Sequence, residues 1–80
     1  MIKIERVEWS PENLQSVVVT FRYTIERNGE TVEEVSSLEV PLTGNVKQVI
    51  VERVKAEVFR RRSQELFSQA KTLEGREIED

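Results

Sequence analysis

Leu14-Gln15-Ser16-Val17-Val18-Val19-Thr20-Phe21-Arg22-Tyr23-Thr24-Ile25-Glu26-Arg27 runs into Asn28-Gly29, and then into Glu30-Thr31-Val32-Glu33-Glu34-Val35-Ser36-Ser37-Leu38-Glu39-Val40. Both runs are rich in the β-branched and aromatic side chains that suit a pleated surface. Asn-Gly is the strongest short hairpin signal, because a type I′ turn needs positive φ at both of its central residues. A two-residue turn here pairs positions whose numbers sum to 57. Ile25 then faces Val32, Val19 faces Leu38, Val17 faces Val40, Phe21 faces Ser36 and Tyr23 faces Glu34. One face reads Val17, Val19, Phe21, Tyr23, Ile25, Val32, Leu38 and Val40. The other is dominated by Ser, Thr, Arg and Glu. A slip of one residue would invert the two faces, so the pattern fixes the register. Glu34 and Ser36 interrupt the apolar face; they are expected near the tip, beyond the reach of whatever covers it. A hydrogen bond between Tyr23 and Glu34 is the alternative.

Upstream, residues 2–9 alternate with a switch of parity. Ile2 and Ile4 fall on one phase, Val7 and Trp9 on the other, which suggests a bulge near Glu5-Arg6. Ser10-Pro11-Glu12-Asn13 makes a turn, with Pro11 fixing φ at its second position. The connection is short, so the first two strands are antiparallel neighbours and the sheet is a three-stranded meander.

Downstream, Pro41-Leu42-Thr43-Gly44 ends the sheet. Asn45 with Gln48 three residues on reads as a capping box, and no glycine or proline interrupts the chain from there to Lys71. At 100° per residue, Val46, Ile50, Val54 and Val58 form one ridge, with Val51 beside it. Phe59, Leu66, Ala70 and Leu73, flanked by Phe67, form a second stripe on nearly the opposite side. One straight helix cannot lay both stripes on one small sheet. The helix either turns back near Arg60–Ser63, docks its second half on another copy or another protein, or folds only on a partner. Docking is favoured, since a small disulfide-free core gains most from oligomerisation. The valine-rich 46–51 segment also admits a fourth strand; the i, i+4, i+8, i+12 ridge and the cap favour helix.

The expected architecture is therefore α+β: a β-β-β meander followed by one long C-terminal helix packed on one sheet face, a single domain over 1–75 with an acidic flexible tail at 76–80. Eighty residues at 38% apolar and 34% charged support one modest core. There is neither cysteine nor histidine. That removes disulfides, thiolate metal sites, the usual base near neutral pH and every Ser-His or Cys-His pair. Glu33 and Glu34 are adjacent in a strand and point to opposite faces, so they form no carboxylate pair. The three glycines are isolated, so there is no phosphate-binding loop. The expectation is no catalytic, cofactor-binding or metal residue. No run approaches the ~18 apolar residues of a membrane span, and the first residues lack a secretion signal; a cytoplasmic location is expected.

Charge is laid out in blocks. Residues 1–44 sum to −4, residues 45–71 to +4 and residues 72–80 to −3. Such a layout fits ordinary solvated surface, or head-to-tail attraction between copies. Arg60-Arg61-Arg62 is the densest basic patch. Arg61 has Glu57 and Glu65 at i±4, an ion-paired helix surface. Arg60 and Arg62 have no carboxylate at i±4 and are the candidates for phosphate or for an acidic neighbour such as Glu33 or Glu39 of another copy. Acidic flanks and the lack of a basic-aromatic stripe argue against strong nucleic-acid binding. Trp9 is expected to close one end of the core, with an exposed interface anchor as the alternative. No motif reaches a named family, although in its general look the chain resembles the small accessory proteins that phages and other mobile elements encode.

The functional expectation is a non-catalytic protein–protein interaction or assembly module, self-associating through the second half of its helix. Its contact residues are Phe59, Arg60, Arg62, Leu66, Phe67, Ala70 and Leu73. The alternative is a small inhibitor, or a host-protein or nucleic-acid binder, using Arg60 and Arg62.

Overall fold

A computed structural model describes all residues 1–80. The chain forms β1 (Ile2–Trp9), β2 (Ser16–Arg27), β3 (Glu30–Pro41) and α1 (Val46–Lys71). The strands make one antiparallel sheet in the order β1-β2-β3, and α1 lies along one face of it. The molecule is elongated, 58 × 21 × 21 Å, because strands and helix match in length: 26 residues at 1.5 Å and 12 at ~3.3 Å both give about 40 Å.

The hairpin has the expected register. Val17 pairs with Val40, Val19 with Leu38, Phe21 with Ser36, Tyr23 with Glu34 and Ile25 with Val32. Asn28 at φ 56° and Gly29 at φ 81° form the turn, the backbone that Asn-Gly tolerates and most other pairs resist. Between β1 and β2 the register shifts between Ile4 and Arg6, which is the bulge that the parity switch implied. The shift has a consequence for packing. Ile2 pairs with Tyr23 and Ile4 with Phe21 before it, Val7 with Val19 and Trp9 with Val17 after it. Directly opposed residues share a face, so all four apolar side chains of β1 point to the helix side.

The core is Val17, Val19, Phe21, Tyr23 and Ile25 of β2, Val40 of β3, and Val54 and Val58 of α1, with Leu38, Val49 and Ile50 packed against it. The Phe21 and Tyr23 rings lie 5.8 Å apart, tilted, a spacing at which aromatic pairs attract beyond simple burial. The helix packs on β2 and β3. Its position follows from the short link, residues 42–45, that leads from the end of β3 straight into α1. Leu42 N–H bonds Gln15 O at 2.8 Å and ties that corner to the start of β2.

One local expectation is corrected. Asn45 precedes the helix at φ −108°, ψ 43° and its side chain caps nothing; Gln48 Nε2 instead donates to Glu52 at 3.1 Å. The helix is unbroken from Val46 to Lys71, so it neither turns back near Arg60–Ser63 nor yields a fourth strand at 46–51. It ends at Lys71, with a turn over residues 72–75 in which Leu73 N–H bonds Ala70 O at 3.0 Å.

On the far face of the sheet, polar side chains bridge all three strands. Arg22 on β2 bonds Glu5 of β1 at 2.7 Å and Glu33 of β3 at 3.2 Å, and Thr20 and Ser37 share a hydrogen bond at 3.2 Å. Buried Ser10 donates to Glu39.

Candidate interaction surface

Val54 and Val58 face the core, and beyond them the sheet-facing side of α1 becomes polar. Arg61 donates to the Tyr23 hydroxyl at 3.4 Å, Arg62 to Thr24 O at 2.9 Å and Thr24 Oγ1 at 3.3 Å, and Gln69 to Glu26 O at 3.4 Å. Arg27 bonds both Glu65 and Glu34. The helix therefore does reach the hairpin tip, contrary to the expectation for Glu34 and Ser36. Tyr23 is fully covered, and its hydroxyl takes its hydrogen bond from Arg61 while Glu34 takes Arg27. Polar side chains on the outer half of β3 are matched by polar side chains on the outer half of α1.

These pairings change the standing of the basic patch. Arg60 binds Glu57, three residues earlier, with its Nε and Nη2 both on that carboxylate. The i±4 rule overlooks an i−3 partner. The hydrogen bond from Arg60 holds the Glu57 carboxyl below its ordinary value, and Arg60 is raised in turn. Arg62 is committed to the backbone of β2. Glu33 and Glu39, the carboxylates expected to receive Arg60 and Arg62 of a neighbour, are bonded to Arg22 and Ser10. On the far face the Arg22 hydrogen bond lowers Glu5 as well.

The apolar candidates behave differently. Phe59 is 73% exposed, Leu66 61% and Phe67 67%; Ala70 and Leu73 are exposed too. Phe59 and Leu66, two turns apart, lie on one flank of the helix in line with Arg62, whereas Phe67 points directly away from the sheet. The flank can be oriented. Thr24 N–H bonds Met1 O, so the Thr24 peptide is directed to the β1 side, and Arg62 reaches that same peptide. Leu66 and Arg62 together border a hollow against Thr24 and Ile25. On the other flank Arg53, Glu57 and Arg60 border Ser37, Leu38 and Glu39 of β3. Phe59 and Leu66 thus lie on the flank that faces the β1 side, Leu66 one turn beyond Arg62 and level with Ile25 and Glu26, past the start of β1.

That bare floor is the row Ile2, Ile4, Val7 and Trp9. Each is exposed, rising from 37% at Ile2 to 64% at Trp9. Trp9 does not close the core as expected. A helix ~10 Å wide covers two strands spaced ~4.8 Å apart, and the short link pins it over β3 and β2, so β1 is left without a roof. Of the exposed apolar residues of α1, Phe59 stands on the flank that faces this floor. The β1 row was missed as a site in the sequence because its covering was assumed. The signal was there in the link: a four-residue connection keeps the start of the helix near the end of β3.

No three carboxylates gather to hold a metal ion, and no helix is long and apolar enough to cross a membrane. No protein-family model matches the chain, and neither curated proteins nor solved structures yield a match.

Proposed function

We propose that the chain is a non-catalytic protein–protein interaction module that self-associates through its uncovered apolar surface. The observation that carries the reading is the row of exposed Ile2, Ile4, Val7 and Trp9 on the sheet, with exposed Phe59 on the helix flank that faces the same side. Isolated exposed apolar residues are ordinary on a protein surface. A row of four on one edge strand, a tryptophan among them, with a phenylalanine on the adjacent helix flank, is the composition expected of an interaction site. Phe59 and Leu66 are retained from the helix-only expectation, Leu66 beyond the end of the β1 row. Arg60 and Arg62 drop out of the contact as charged partners, because each already has a partner within its own chain. That also weakens the nucleic-acid alternative, for which free guanidinium groups would be needed.

Molar mass by light scattering on a sizing column, at low and at high salt, tests the proposal. A multiple of 9.3 kDa that persists at high salt is expected, since apolar contact is not screened. The double variant F59S/L66S should run as a smaller species with its sheet intact. A wild-type monomer at every concentration and salt would overturn self-association and favour a foreign protein partner.

A further inference from the structure

We infer that the second copy docks by pairing β1 with β1, antiparallel about a two-fold axis, extending the sheet to six strands. The inference rests on the self-association proposed above and specifies its geometry. It starts from the two sheet edges. β3 carries Glu30, Glu33, Glu34 and Glu39 and no basic residue, so pairing β3 with itself gathers carboxylates. β1 carries Lys3, Glu5, Arg6 and Glu8, two of each sign. Charged edges block unwanted pairing; only β1 is neutral.

The backbone phase of β1 agrees. Thr24 N–H bonds Met1 O, and Ser10 N–H bonds Ser16 O, so the even residues of β2 direct their peptide groups at β1. By alternation across the bulge, Ile2, Ile4, Val7 and Trp9 direct theirs at the free edge. A hydrogen-bonded ladder with a second copy must therefore use these four residues.

One register satisfies both faces. When the numbers sum to 11, Ile4 opposes Val7 of the second copy, Ile2 opposes Trp9, and Lys3 opposes Glu8. Each pairing occurs twice by symmetry, with Glu5-Arg6 at the axis. Directly opposed residues must share a face. Ile4 and Val7 differ in parity, so an unbulged strand would send them to opposite faces and forbid this pairing. The bulge between Ile4 and Arg6 removes the conflict and makes the strand self-complementary: apolar pairs on the helix side, opposite charges on the other.

The helices agree as well. Each lies over β2 and β3, so two of them straddle the axis with roughly 19 Å between their axes at ~4.8 Å per strand. That leaves a trough about 10 Å wide between helices ~10 Å across. Its floor is the two apolar rows of β1, and Phe59 of each copy stands on its walls. The exposed apolar rows of the two copies thus join into one floor between the helices.

The chain has no cysteine, which permits a direct test. Lys3 and Glu8 are both exposed, so K3C/E8C leaves the core untouched. Mild oxidation should convert it to a covalent dimer that thiol reductant dissolves, whereas K3C or E8C alone should not link. Lys3 lies about four strand positions, ~13 Å, from its own symmetry mate, beyond the ~7 Å Cα limit of a disulfide. In parallel, K3E or E8K should raise the dimer dissociation constant roughly tenfold by turning two cross-strand attractions into repulsions, and K3E/E8K should restore it. Covalent linkage of the double variant alone, with rescue by the charge swap, supports the inference. A dimer by light scattering with no linkage overturns the β1 edge and leaves self-association standing. Equal linkage of the single variants overturns the register. A monomer overturns both readings.

Discussion

Val58 and Phe59 are consecutive on one helix, yet one is 1% and the other 73% exposed. Replacing each in turn tests the rotational setting of α1 on which the proposed interaction surface depends. Val58→Ala removes two methyl groups from a closed core. At about 0.8 kcal/mol per carbon the transfer loss is about 1.6 kcal/mol. A partly relaxed cavity adds about 1 kcal/mol, and the better helix propensity of alanine returns about 0.6 kcal/mol. The net is about 2 kcal/mol, a fall in Tm of about 8–15 °C for a domain of this size. Phe59→Ser exchanges two residues of similar propensity at a site that the single chain leaves in water, so the change in the isolated chain is about 0 to 0.5 kcal/mol. Urea unfolding at low micromolar and at high concentration separates the cases. In dilute solution Val58→Ala should lose stability while Phe59→Ser matches the parent. On concentration the parent should gain stability by mass action and Phe59→Ser should gain less. A loss above 1.5 kcal/mol for Phe59→Ser in the dilute monomer, roughly three times the surface expectation, would place Phe59 inside the single chain and refute the setting.

Three further outcomes follow from single features. Gly29→Ala puts a Cβ on a residue at φ 81° and should cost about 1 kcal/mol, read as a fall in Tm with the far-UV spectrum unchanged; no fall would mean that the turn is not type I′. Arg27→Ala removes the partner of both Glu65 and Glu34, so deuterium uptake over residues 65–71 should rise severalfold while that over 50–58 stays as it was; uniform uptake would show that the pair does not hold the helix end. Glu5 and Glu57 sit below their ordinary value of 4.5 because Arg22 and Arg60 hydrogen-bond to them. The unfolded chain then binds more protons in that region, so their contribution is fully present above about pH 4.5 and is lost as pH falls through the lower folded values. Glu57→Gln should flatten the acid limb of a Tm-against-pH profile, and an unchanged limb would count against the pairing.

How much of this was legible beforehand depends on which residues carried the information. The hairpin register could be read because a period-2 pattern and a two-residue turn constrain each other: Val17, Val19, Phe21 and Tyr23 admit one partner set once Asn28-Gly29 is the turn. The bulge could be read from Ile4 and Val7 falling out of phase. Two stripes on α1 could be read from the 3.6-residue period, and both are present, Val54 and Val58 within and Phe59 and Leu66 without. The partners of the polar groups could not be read. Arg62 reaches Thr24 across 38 residues and Arg27 reaches Glu65 across 38, and local spacing rules carry no information at that range. Asn45 failed as a cap for a different reason: a good capping residue acts only when the backbone ahead of the helix is extended, and here ψ is 43°.

The position of the helix joins these levels. By apolar content alone, α1 belongs over β1, whose inner face offers Ile2, Ile4, Val7 and Trp9, rather than over β3, where Glu34 and Ser36 interrupt the row. Chain connectivity sets where the helix starts: four residues between Pro41 and Val46 begin it beside the end of β3, and it lies over β2 and β3. The sequence compensates where the helix is forced to lie. Arg61 meets Tyr23, and Arg27 ties Glu34 and Glu65 together. It leaves uncompensated the strand that the helix does not cover. A monomeric protein under selection for solubility blunts such an edge with charge, as β3 is blunted here. On β1 the charges are balanced and the tryptophan is 64% exposed, which fits the β1 pairing proposed above.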